Sequence, residues 1–117
     1  MNAESLIYTA LKDVVPGSHV YPVDLPATVT AATYVTYVQV GGDAVNFLDG
    51  GKPSKKNGRF QLNVWAPSDH EAAALARLVE DAMRTIPAQV LGASVSTTDP
   101  ALDTYGRRQD FSVWFND

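Results

Sequence analysis

The segment 59–86 constrains the architecture more tightly than any other part of the chain. From Arg59 to Ala66 the pattern alternates, with Phe60, Leu62, Val64 and Ala66 on one side and Arg59, Gln61, Asn63 and Trp65 on the other. Successive side chains of a strand point to opposite faces, so this is a strand with one face on a core. After Pro67 the period changes. Ser68-Asp69-His70-Glu71 is a capping box, in which the Ser68 hydroxyl accepts from the Glu71 amide and the Glu71 carboxylate reaches back. Ala72, Leu75, Ala76, Val79, Ala82, Met83 and Ile86 then recur at helical spacing as far as Pro87. A one-faced strand feeding a one-striped helix requires that the helix cover a sheet.

The flanking sequence extends this plan. Ala3, Leu6, Ile7, Ala10, Leu11 and Val14 form an apolar stripe on a first helix, which Pro16-Gly17 ends. Ser18 to Thr30 contains Pro22 and Pro26 and is expected to be an extended, irregular surface connection. Thr33 to Val40 is rich in β-branched and aromatic residues and predicts a strand closed by Gly41-Gly42. A further strand is expected over Ala44–Leu48. The run 49–58 lacks periodicity and ends in Asn57-Gly58, which predicts a long polar hairpin arm with a turn at its end. Val90 to Thr98 predicts a weaker strand, and Gly106 precedes a last strand in which Phe111, Val113 and Phe115 alternate with Asp110, Ser112 and Trp114.

The expected fold is α+β: a mainly antiparallel sheet of four to five strands, two helices on one face, and a long polar hairpin arm. With 117 residues and no dividing linker, the chain is expected to form a single domain over 1–117. Its start carries an acidic residue, Glu4, where a secretory leader would carry positive charge, and reads as mature folded sequence. No apolar run approaches the ~18 residues of a membrane span.

Catalytic patterns are missing. There is no cysteine, which removes disulfides, thiolate nucleophiles and cysteine-bound metals. His19 and His70 have no partner at metal-ligand spacing, and neither a Gly-x-Ser-x-Gly elbow nor a phosphate-binding glycine loop occurs. The expectation is therefore no enzyme, no metal and no cofactor. The net charge of −4 opposes binding of nucleic acid by the molecule as a whole.

Two surface features remain. Lys52, Lys55, Lys56 and Arg59 form the one basic concentration, readable as a solubilising loop or as an arm aimed at phosphate or an acidic partner. The second feature is aromatic. If Phe60, Leu62 and Val64 and then Phe111, Val113 and Phe115 face the helices, Trp65 and Trp114 must face away, with either Val35 and Tyr37 or Tyr34 and Val38. An indole offers roughly 150–250 Å², worth several kcal/mol at about 25 cal/mol per Å² if covered. Either each tryptophan lies at a sheet edge under the Ser18–Thr30 loop, or Trp65, Trp114 and Tyr37 mark a subunit or partner interface.

The order of these motifs resembles a known family. An amphipathic first helix, Val20-Tyr21-Pro22, Tyr34-Val35-Thr36-Tyr37, Arg59-Phe60-Gln61-Leu62-Asn63-Val64-Trp65-Ala66 running into an Ala/Leu-rich helix, and the closing Asp110-Phe111-Ser112-Val113-Trp114 are similar to the tail-completion, or tail-terminator, proteins of long-tailed bacteriophages and gene-transfer particles. Thr33 departs from that pattern, since similar proteins often place a proline there. The resemblance implies a structural virion protein: a ring, usually of six subunits, that caps the tail tube, stops its polymerisation and docks the head connector. It also implies that Lys52, Lys55, Lys56 and Arg59 line the lumen through which DNA passes or contact the tube protein, and it gives no membrane partner. A head-completion or neck adaptor, or a small ligand-binding α+β module, are the alternative readings.

Overall fold

The computed structural model describes residues 2–44, 50–51, 54–99 and 103–116. In chain order the elements are α1 (Ala3–Leu11), a 3-10 turn (Pro16–Ser18), β1 (Val20–Pro22), β2 (Tyr34–Gly41), β3 (Lys55–Ala66), α2 (Asp69–Met83), β4 (Ala88–Val90), β5 (Val95–Asp99) and β6 (Thr104–Asn116). The strands form one open sheet in the order β1-β2-β3-β6-β4, with β5 also on β6. Among the described residues β1 and β2 pair in parallel and the other pairings are antiparallel. The α+β class is as expected, with six strands in place of four or five.

Both helices start on side-chain caps. Asn2 Oδ1 accepts from the Ser5 amide at 2.8 Å. Ser68 Oγ accepts from the Glu71 amide at 3.2 Å and donates to the Glu71 carboxylate at 2.9 Å, so the carboxylate meets the cap hydroxyl. Their apolar stripes, Ala3-Ile7-Leu11 and Ala72-Leu75-Ala76-Val79-Met83, are buried against Phe60, Leu62 and Val64 of β3 and Phe111 and Val113 of β6. The register pairs Phe60 with Phe111 and Gly58 with Val113 on this same face. Ile7, Leu11, Leu62, Met83, Phe111 and Val113 are each under 2% exposed, and at about 1.5–3 kcal/mol per buried side chain they dominate the stabilisation.

Several local expectations are corrected. The 18–30 connection contains β1, whose Val20 pairs with Val35 and is buried. Asn57-Gly58 is not a turn, because both residues lie in β3, opposite Trp114 and Val113. Lys55 and Lys56 also belong to β3, which shortens the expected arm. The expected strand over 44–48 lies outside the described residues apart from Ala44. The expected strand over 90–98 is split. From Val90↔Phe111 to Val95↔Arg108 the edge takes five steps while β6 takes three, so Leu91–Ser94 bulges out between β4 and β5. Gly106 lies inside β6 and is buried.

Gln109 ties this broken edge to α2. It stands on the helix side of β6 opposite Leu62, and its Nε2 donates to Glu80 Oε1 and to the Gly92 carbonyl, both at 2.8 Å. Arg107 does the same for the start of α2, donating from Nη2 to the two carboxylate oxygens of Asp69 at 3.1 and 3.2 Å.

Candidate interaction surface

Alternation in the long β3–β6 ladder leaves Asn57, Arg59, Gln61, Asn63 and Trp65 of β3, and Gly106, Arg108, Asp110, Ser112 and Trp114 of β6, facing away from the helices. Trp65 and Trp114 are both on this outer face, as the alternation requires. They pair with Gly106 and Asn57 respectively, eight residues apart along the ladder, or roughly 26 Å. They therefore stand at opposite ends of the outer face.

Their surroundings differ as well. Trp65 is half-buried, because it lies over Gly106: a Cβ there would sit 2.9 Å from Trp65 Cε3 and Cζ3 and 2.9 Å from Thr97 Cγ2. Tyr34 is its cross-strand neighbour. Burial, and after it the carboxylates of Asp24 and Asp99, push the Tyr34 hydroxyl above the ordinary tyrosine range. Trp114 is 39% exposed at the opposite end. Its backbone is fixed on both sides, in register with Asn57 and through its amide to the Pro87 carbonyl at 2.8 Å.

Tyr37 is not on the outer face. It pairs with Leu62, is 6% exposed, and stands on the helix side, while Tyr34, Thr36 and Val38 face outward. The strand Tyr34–Gly41 is apolar on both sides, so only its register against β3 decides between the two sets. Burial and the Glu4 carboxylate raise the Tyr37 hydroxyl above its usual range. Tyr37 lines a groove of about 220 Å³ beside the start of α1, with Phe60, Phe115, Val23 and Glu4 among its other walls.

Of the basic cluster, Lys55 and Arg59 share the outer face and Lys56 lies on the other. Arg59 donates from Nε to Asp110 Oδ2 at 2.9 Å, an ion pair across the outer face. Lys55 pairs with Asn116 and Lys56 with Phe115, so their side chains leave the sheet on opposite faces. Lys52 lies outside the described residues. Asn57 does a structural job that its turn-like sequence hid: Nδ2 donates to Ser112 Oγ at 2.7 Å while Oδ1 accepts from the Asp43 amide at 3.0 Å. It thereby pins the segment after β2 to the sheet.

Of the histidines, His19 Nδ1 lies 2.7 Å from the Tyr21 hydroxyl and His70 is exposed in the first turn of α2. Among the described residues no group of three or more His, Asp or Glu side chains is placed to hold a metal. What the surface offers is aromatic and polar contact area. Residues 7–116 match the family described as Tail completion protein gp17. The chain belongs to that family. It is a family of structural phage tail proteins, consistent with a surface built for contact.

This tail completion protein shares its fold with a solved chain from the virion of a native gene transfer agent (GTA) particle. That chain is 17% identical, with a TM-score of 0.64 over 98% of this chain and 95% of that one. A second solved chain is 15% identical over 100% of this chain and 99% of its own, with a TM-score of 0.44. No curated protein matches. Sequence reading missed three features of the tail completion protein: the Arg59–Asp110 pair, the seat of Trp65 on Gly106, and the groove. The first joins residues 51 positions apart, and the others depend on register that no local pattern encodes.

Proposed function

We propose that this chain caps the finished tail tube as a ring, usual for such proteins at six subunits, stops tube polymerisation and offers the head connector its docking surface. The whole of 1–117 acts as one domain in this reading, at the head-proximal end of the tail in the virion, after assembly in the host cytoplasm. The observation that carries it is the family match over nearly the entire chain, 7–116. The likeness in fold to a chain of a gene transfer agent virion supports the same context. The outer sheet face supports assembly with other protein subunits, since it places an exposed Trp114 where no helix covers it.

Lys52, Lys55, Lys56 and Arg59 are proposed to border the lumen or the tube. Arg59 enters that role with Asp110 already beside it, and the four together would supply salt-sensitive, sequence-independent attraction to passing DNA. Replacing the four by glutamine lowers tail completion or DNA delivery while the isolated chain stays folded; normal delivery refutes the role.

Electron microscopy of particles assembled without this protein tests the main reading. Tails of uncontrolled length are expected. Tails of correct length that lack heads refute termination and assign the chain to the neck, and normal particles refute both.

A further inference from the structure

The groove beside α1 and the exposed Trp114 belong to the same end of the sheet but to opposite faces of it. Phe115 pairs with Lys56 and turns toward the helices, where it walls the groove; Trp114 pairs with Asn57 and turns outward. The groove floor is built by a missing side chain. A Cβ on Gly58 would stand 2.5 Å from Phe60 Cε2 and 3.3 Å from Phe115 Cε1, so the glycine lets both rings lie across the strand and form an apolar bed. Tyr37 and Val23 add to it. Val23 is 72% exposed and held at φ 66°, an unusual conformation for a β-branched residue.

Size and charge both point to an occupant. An apolar cavity of about 150 Å³ takes up a benzene ring; at about 220 Å³ the groove has room for two fused rings. It is open, and its rim carries the exposed Glu4 carboxylate and the Gln39 side chain, either of which can accept an indole N–H. Trp114, in turn, has an exposed cation for a neighbour. Lys55 shares its face of the sheet and lies diagonally across the ladder, about 7–8 Å away.

We infer that Trp114 of one copy docks into the Phe60–Phe115 groove of the next, with Lys55 of the first copy against Glu4 of the second. A knob and a socket on different faces of one chain make a head-to-tail contact, and such contacts close into rings when the rotation permits. The inference rests on the ring reading above and gives that ring its contact. Its character follows: a rigid aromatic anchor in an apolar pocket carries most of the affinity, and the rim charges set orientation and salt sensitivity.

Sedimentation of the purified full chain, alone and with tails assembled without it, tests this. Trp114→Ala is expected to weaken association at least about thirty-fold, the effect of losing an interface hot spot. Glu4→Lys and Lys55→Glu each weaken it, and combining the two restores association to within about threefold of the parent. Both charged residues are exposed, so circular dichroism is expected to report an intact fold in every case. A mixture of Trp114→Ala copies with Glu4→Lys copies yields a two-copy species, since one good contact remains, and no ring. Association unchanged in Trp114→Ala, or a charge-swapped double variant no better than the single ones, overturns the contact and leaves the ring standing. A parent chain that forms no ring either in solution or on tails overturns both.

Discussion

Gly106→Ala tests whether Trp65 is held by its own sheet or left for a partner. On backbone grounds alone the change is favourable, because glycine inside a strand is roughly 0.5–1 kcal/mol worse than alanine. The seat of Trp65 reverses the sign. The new methyl carbon would stand 2.9 Å from two indole carbons and from Thr97 Cγ2, closer than carbon atoms pack, so the indole must lift or Thr97 must give way. Overpacking of this kind costs about 1–3 kcal/mol. The net expectation is a loss of about 1 kcal/mol and a fall in Tm of about 4 °C for a chain of this length. Urea unfolding followed by circular dichroism gives the magnitude, and tryptophan emission in a Trp114→Phe background reports on Trp65 alone, which is expected to shift to the red. The decisive control is the same change made with Trp65→Ala. With the indole removed, Gly106→Ala becomes neutral or stabilising, and the coupling between the two sites is about 1–3 kcal/mol. If Gly106→Ala stabilises the chain while Trp65 is present, the indole is not seated there and the reasoning fails.

Gln109→Ala removes the tie between α2 and the edge bulge, while Glu80 keeps its ion pair with Arg84 at 3.7 Å; a loss of about 1 kcal/mol in urea unfolding is expected, and a change on the order of zero contradicts it. Ser68→Ala strips the cap of α2 and is expected to cost about 1 kcal/mol, with Ser68→Asp close to neutral. The raised hydroxyls of Tyr34 and Tyr37 make a prediction for alkaline solution. Below the unfolded value of 10.0 both states are neutral and the stability from burying these groups is fully present. As pH rises past that value the unfolded chain releases protons first, so stability falls until the folded hydroxyls titrate too. Replacing both tyrosines by phenylalanine is expected to flatten that decline, and an unchanged pH profile refutes the assignment.

Most of the scaffold was legible because it is written in local periods. The β3 alternation, the α2 stripe and the Ser68 cap each need fewer than twenty consecutive residues to be read. What escaped depends on contacts far along the chain. Pro22 disguised β1, since proline argues against a strand, yet here it closes a three-residue edge strand whose missing amide is tolerated. Asn57-Gly58 carries the strongest turn signature in the sequence, but Ser112 and Asp43 bind the asparagine side chain and the phenylalanine rings claim the space over the glycine. The candidate surface was half legible. Parity placed Trp65 and Trp114 on the outer face without any structure. It did not place Tyr37, because a strand apolar on both sides has no preferred face until a neighbour supplies one. Closeness in sequence also hid how the basic residues divide: in the sheet Lys55 and Arg59 share one face and Lys56 takes the other.

The central β3–β6 ladder also bears on how fast the molecule matures. Its side-chain links, Arg59 with Asp110 and Asn57 with Ser112, join residues 51 and 55 positions apart, and α2 and the whole broken edge are synthesised between them. Closing loops of that length must precede any reward from the ladder, which slows folding relative to a helical bundle of equal size. The Phe60–Phe115 bed exists only once the ladder is in register. A newly made chain therefore has no finished groove until its last strand is in place, and under the proposed contact the order of folding itself would restrain premature association.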